Sequence, residues 1–237
     1  MRVQVSLWVL DLCPYIPYLH MKLFLDTADI DEIKAADKTG LIDGITTNPT
    51  LIKQNGGEPT DIYRQIADLG FTDISMEVMG DFDHMLSEAM QLHTMFGAIA
   101  TIKLPMTVEG LQVCSHLSSQ HIRTNVTLVF NAAQALLAAK SGATYVSPFV
   151  GRIDDQGYAG LEVVRSIAGL FGQQRCDTQV LAASIRTPHR AVRSFFNGAS
   201  IATIPPTVFW KMYNHVLTDV GLDIFDKDSK QAPLIIK

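Results

Sequence analysis

From residue 21 onward, short runs of apolar and β-branched residues alternate with longer amphipathic stretches, and the alternation repeats eight times. Short apolar runs bounded by turn signals predict buried strands, and stretches with apolar residues three and four apart predict helices. The predicted strands are Leu23–Asp26, Gly44–Thr46, Ile74–Val78, Ile99–Leu104, Thr124–Leu128, Tyr145–Pro148, Val180–Ser184 and Ile201–Ile204. Helix starts are marked by Thr27 and Asp29, by Thr107 with Glu109 and Gly110, and by Thr187 with Pro188. Gly40, Gly70, Gly97, Gly142 and Gly198 fall at predicted helix ends, where a left-handed cap favours glycine. Eight βα units predict an α/β protein of the closed parallel (β/α)8 or TIM-barrel type rather than an open doubly wound sheet. No G-x-G-x-x-G follows the first strand and no P-loop is present, which points the same way.

Composition narrows the class without changing the fold. The chain has 237 residues, 47% hydrophobic and 18% charged, which suits one globular domain with a large core. A net charge of −5 and dispersed basic residues argue against nucleic acid as a partner. Cys13, Cys114 and Cys176 are far apart and form no C-x-x-C, so reduced thiols and a cytoplasmic location are expected. The seven histidines form no H-E-x-x-H, and no metal site is expected. Val5–Leu10 is apolar but short, interrupted by Asp11 and Pro14, and followed by no small-residue cleavage site, so neither a signal peptide nor a membrane span is expected. Residues 1–20 are expected to lie outside the fold as an extension or an upstream-start artefact. Residues 21–237 are expected to form a single domain.

One residue breaks the apolar pattern. Lys103 sits in the strand run Ala100-Thr101-Ile102-Lys103-Leu104-Pro105. Burial disfavours an ammonium ion, so a lysine there is either a nucleophilic amine or an edge residue whose stem runs out to water. In a barrel the chemistry collects at the carboxyl ends of the strands, and the polar residues there form a set. Asp26 ends the first strand, Thr46-Thr47-Asn48-Pro49 follows the second, and Glu77 lies on the third. Asn125 and Thr127 lie on the fifth strand, Ser147 and Phe149 close the sixth with Arg152 beyond, and Ser184 ends the seventh with Arg186 beyond. Several have plain structural alternatives: Asp26 as a helix cap, Thr-Thr-Asn-Pro as a turn, the arginines as surface charges. Glu77, flanked by Met76 and Val78, is harder to explain without a partner. Arg152 and Arg186 together would make a two-pronged phosphate clamp.

These segments resemble the transaldolases of the short subfamily, close to the fructose-6-phosphate aldolases. The resemblance covers residues 21–237 and rests on Leu-Phe-Leu-Asp-Thr at 23–27, Thr-Thr-Asn-Pro-Thr at 46–50, Ile-Lys-Leu-Pro at 102–105 and Thr-Asn-Val-Thr-Leu-Val-Phe at 124–130. It continues through Ser-Pro-Phe-Val-Gly-Arg-Ile at 147–153 and Ala-Ala-Ser-Ile-Arg at 182–186. It implies a class I aldolase mechanism without cofactor or metal, in which Lys103 forms a Schiff base with a ketose phosphate. Asp26 is then the base for the C4 hydroxyl, and Glu77 with Thr127 holds a water. Asn48 and Asn125 bind substrate hydroxyls, Ser147 and Ser184 line the pocket, and Arg152 with Arg186 binds phosphate.

The aldolases of this group carry glutamine at the position of Glu77 and tyrosine at that of Phe149, so the pair here resembles transaldolase; Asn125 and Arg186 do as well. The implied reaction moves a dihydroxyacetone unit between sedoheptulose 7-phosphate and glyceraldehyde 3-phosphate, giving erythrose 4-phosphate and fructose 6-phosphate. The alternative is an aldolase releasing free dihydroxyacetone. The resemblance also implies a homo-oligomer, with a decamer as one form, assembled through a helical tail at Pro206–Lys237. Ile185 departs from the phenylalanine common in related sequences.

Overall fold

The computed structural model describes residues 21–231. The expectations for residues 1–20, Cys13 among them, and for the end of the tail lie outside the described residues.

Eight strands close into a barrel in which every neighbouring pair is parallel and β8 returns to β1. They are β1 (Lys22–Asp26), β2 (Gly44–Thr46), β3 (Ile74–Glu77), β4 (Ala100–Pro105), β5 (Thr124–Val129), β6 (Tyr145–Pro148), β7 (Gln179–Ala182) and β8 (Ile201–Ile204). Helix α1 (Ile30–Asp37) joins β1 to β2, and α2 (Pro49–Asn55) with α3 (Pro59–Asp68) leads to β3. Next come α4 (Phe82–Phe96), α5 (Val108–Ser119) and α6 (Ala132–Lys140), one per connection. The pair α7 (Val150–Asp155) and α8 (Gly160–Gln174) follows β6, α9 (Pro188–Phe196) follows β7, and α10 (Pro206–Lys211) and α11 (Val216–Gln231) follow β8.

Strand alternation sorts the core into two parts. Residues such as Leu25, Ile45, Ile74, Ile102, Leu104, Val126 and Val146 are buried together with the inner faces of the helices. Phe24, Tyr145, Leu181, Ala183 and Ile201 form a separate cluster, and their parity places it inside the barrel. Phe24 meets Tyr145 edge to face at 6.5 Å. Below them Asp73, 5% exposed, accepts from Tyr145 Oη at 2.7 Å, Thr101 Oγ1 at 2.8 Å and Arg123 Nη1 at 3.0 Å. Gly44 leaves room for this packing, because a Cβ there would stand 2.7 Å from the Phe24 ring and 2.8 Å from Asp73 O.

The expected eight strands and parallel barrel are present, with local corrections. Asp29, Thr107 and Thr187 cap α1, α5 and α9 through their side chains, so Asp26 is not the cap of the first helix. Ile99 belongs to a 3-10 turn, Gly97–Ile99, that precedes β4. Ser184 lies beyond the end of β7, since it adopts a left-handed φ of 57° that ends the extended run. Leu128 also has a left-handed φ, 60°, and the β5–β6 register shifts between Val126 and Val129.

Candidate active site

Lys103 lies in the middle of β4 with the parity that points inward, opposite to Ile102 and Leu104. It is 5% exposed, so the snorkelling alternative is excluded. Its Nζ donates to Thr47 O at 2.9 Å and lies 2.8 Å from Glu77 Oε2. Register explains the pair: Glu77 stands opposite Lys103 across β3 and β4, and Lys103 stands opposite Asn125 across β4 and β5. Glu77 Oε2 meets the ammonium without the alignment of a directed hydrogen bond, and Thr127 Oγ1 is buried with no protein partner. Both oxygens retain capacity to bind a small polar molecule.

Asp26 faces the same pocket from the end of β1. Its Oδ1 accepts from Thr46 Oγ1 at 2.7 Å. Burial pushes its carboxyl above the usual carboxylate range, with the Lys103 ammonium and the Thr46 hydrogen bond opposing that rise. Asn125 is held from both sides: its Nδ2 donates to Ser75 Oγ at 3.2 Å and its Oδ1 accepts from Ser147 Oγ at 2.6 Å. The Thr-Thr-Asn-Pro segment is both a structural device and a part of the site. Asn48 Oδ1 caps α2 by accepting from Leu51 N at 3.0 Å, and Pro49 opens the helix, while Asn48 still lines the pocket.

Asp26, Asn48, Lys103, Asn125, Ser147, Phe149, Arg152 and Ser184 line one pocket. The Arg152 guanidinium lies over the Phe149 ring, 5.0 Å from its centroid, a cation–π contact that holds it at the rim. Gly151 is fixed by crowding, since a Cβ would stand 2.2 Å from Ser184 O; its N–H donates to that oxygen at 3.0 Å. The two arginines do not share this pocket. Arg186 borders an adjoining depression with Asp154, Thr187 and Arg190, and both its Nη groups donate to the Asp155 carboxylate.

Sequence reasoning left several participants unassigned. Thr47 contributes a backbone oxygen, which no side-chain pattern reports. Thr46, Ser75 and Thr203 are small hydroxyl residues on inward positions of three strands, and Leu181 with Ala183 forms apolar wall. Inward parity near a strand end was the available signal for Thr203.

A parallel barrel that presents a buried amine, a carboxylate bound to it and a second carboxylate beside it has the form of an amine-nucleophile enzyme. Comparison with known proteins agrees. Residues 23–234 match the family model described as Transaldolase/Fructose-6-phosphate aldolase. A "Probable transaldolase" of Desulforapulum autotrophicum is 47% identical over 212 residues, spanning 89% of this chain and 98% of that protein. Another "Probable transaldolase", of Methanococcus maripaludis, is 47% identical over 209 residues, spanning 88% and 97%. The crystal structure of a "putative fructose-1,6-biphosphate aldolase" from Coccidioides immitis superposes with a TM-score of 0.57 at 13% identity, covering 79% of this chain and 74% of that one. That likeness concerns the fold alone. The chain belongs to the Transaldolase/Fructose-6-phosphate aldolase family.

Proposed function

We propose that this enzyme is a transaldolase that moves a dihydroxyacetone unit from sedoheptulose 7-phosphate to glyceraldehyde 3-phosphate through a Schiff base on Lys103. The observation that carries the proposal is the buried Lys103 amine, 2.8 Å from Glu77 and in the same pocket as Asp26. Glu77 takes the ammonium proton, and the free amine adds to the C2 ketone. Loss of the C2 oxygen as water gives the imine. Glu77 and Thr127 handle the water and its protons, a role that suits their remaining hydrogen-bond capacity. Asp26 then removes the C4 hydroxyl proton. The C3–C4 bond breaks with its electron pair passing to the imine nitrogen, and erythrose 4-phosphate departs. The enamine attacks the aldehyde carbon of glyceraldehyde 3-phosphate, Asp26 returns the proton to the new hydroxyl, and hydrolysis frees fructose 6-phosphate.

Asn48 and Asn125 bind hydroxyls of the dihydroxyacetone unit, and Ser147 and Ser184 bound it. Arg152 meets the phosphate first, and Arg186 joins when phosphate displaces Asp155. Phe149 supplies no proton to the enamine, which therefore waits for an acceptor. Substitution Lys103→Ala should remove all turnover and the borohydride-trapped adduct; an adduct on another residue would refute the assignment. Glyceraldehyde 3-phosphate release from fructose 6-phosphate separates the two family activities. Sustained release only with erythrose 4-phosphate present supports transaldolase, and equal turnover without it means aldolase.

The same reading places the protein in the cytoplasm, consistent with the free thiols of Cys114 and Cys176, and makes it a homo-oligomer. Its support is the tail: from Val216 to Lys230 every side-chain-bearing residue is exposed, among them Val216, Leu217, Val220, Leu222, Ile224 and Phe225. Large apolar side chains left so open on this helix fit burial against another copy.

A further inference from the structure

We propose that Thr203 is a positioning residue that aims the Asp26 carboxylate through Thr46, leaving Oδ2 to receive the substrate proton. The inference rests on Asp26 as the base.

Thr46 Oγ1 donates to Asp26 Oδ1 at 2.7 Å and lies 2.6 Å from Thr203 Oγ1. A hydroxyl has one hydrogen. With that of Thr46 given to the carboxylate, the second contact carries the hydrogen of Thr203. The chain therefore runs Thr203 to Thr46 to Asp26, and each donor strengthens the next.

Topology makes it a strap. Strand β1 lies between β2 and β8, so the two threonines reach toward each other across the inner face of β1, between Phe24 and Asp26. Thr46 and Thr203 are 2% and 3% exposed, which limits competition from water for either hydroxyl, and both line the pocket. Only Oδ1 of Asp26 is engaged among the described residues. The strap thus fixes the rotation of the carboxylate about its terminal bond and turns the other oxygen into the pocket. Burial of this carboxyl raises its proton affinity, and the Thr46 hydrogen bond opposes that rise.

The other groups around Asp26 leave this assignment intact. Lys103 faces it from β4 as an ammonium, Glu77 on β3 is bound to that ammonium, and Arg152 after β6 borders the same pocket. On the flanking strands β2 and β8 the neighbours are Thr46 and Thr203, which carry no charge.

The test compares Thr203→Val and Thr203→Ala, which delete the hydroxyl, with Thr203→Ser, which keeps it, after circular dichroism shows native folding. The two deletions are expected to lower kcat about tenfold, less than the roughly hundredfold or more that loss of a general base itself costs. They should also move the acid limb of kcat/KM to higher pH, because the carboxylate loses stabilisation. Borohydride trapping of the Lys103 adduct should persist, since imine formation does not use Asp26. Thr203→Ser should restore rate and pH profile together. Wild-type kcat and an unmoved acid limb in both deletions would overturn the strap while leaving Asp26 as the base. Equal loss of adduct and rate would reduce Thr203 to a structural residue and overturn it too. Retained cleavage by Asp26→Asn would instead refute the base assignment, and the strap with it.

Discussion

In the proposed mechanism, the side chains of Glu77 and Phe149 decide between two outcomes of one enamine. Phe149 packs against Phe130 at 6.0 Å and under Arg152, and no hydroxyl reaches the pocket from its ring. The double substitution Glu77→Gln with Phe149→Tyr should raise release of free dihydroxyacetone in the absence of acceptor by about a hundredfold, the lower end of what one placed acid contributes. A coupled dihydroxyacetone assay checks it, and unchanged release would separate these residues from the choice. Asp26 makes a second prediction. Its folded-state affinity for a proton is raised by burial, so its favourable contribution is complete below the ordinary carboxylate range and is lost as pH rises through the raised value. Asp26→Asn should therefore unfold at a higher temperature than the native protein at pH 7, with the gap closing on acidification, while turnover falls. Calorimetry across pH reads both the sign and the trend. Lys103 was legible in the sequence because a charge in an apolar run has few structural explanations. Thr203 and Ser75 were not, because a small hydroxyl on a strand looks the same whether it fills space or orients a partner. The pairing of Arg186 with Asp155 was hidden for another reason: the two residues are 31 positions apart, and only the packing of α7 beside the β7–α9 loop joins them.

Among the elements, short strands and their exits place the chemistry. The eight strands could be read from apolar runs, and the caps of α1, α5 and α9 from their Asp and Thr signals, since both depend on local chain chemistry. The end of β7 could not, because Ser184 takes a left-handed conformation and its carbonyl accepts from Gly151 N of α7, a contact far away in sequence. Gly151 is the other half of that contact. Gly151→Ala should force α7 away from Ser184 and destabilise the fold by about 1–3 kcal/mol, the usual range for overpacking, and KM should rise as Ser184 and Arg152 shift. Denaturant unfolding and steady-state kinetics measure the two effects; native values for both would mean that α7 yields without disturbing the pocket. At the opposite end of the barrel, Asp73 gathers Thr101, Arg123 and Tyr145. Tyr145→Phe should cost about 1–3 kcal/mol for a charged hydrogen bond removed from a buried site and leave KM unchanged, because stability and catalysis occupy opposite ends of the fold.

For the molecule as a whole, the exposed apolar residues of α11 carry the proposed assembly. Val220→Asp with Ile224→Asp, one turn apart on α11, should convert the proposed oligomer to a species near 26.1 kDa in light scattering, because both charges would have to be buried. An unchanged mass would move the interface elsewhere. The pocket has a polarity that no single residue declares. Glu77 already compensates Lys103, Asp155 already occupies Arg186, and Arg152 joins no ion pair among the described residues. A linear molecule with an anionic end and a carbonyl end therefore meets an uncompensated positive charge at the rim and a neutralised amine within. Such a molecule should be sorted by direction before any hydroxyl is recognised, because one inserted phosphate-first would carry its charge toward Glu77 and Asp26. Orientation is thus selected by where charge has been left unbalanced, and this bias should weaken with added salt at the exposed rim while persisting at the enclosed lysine.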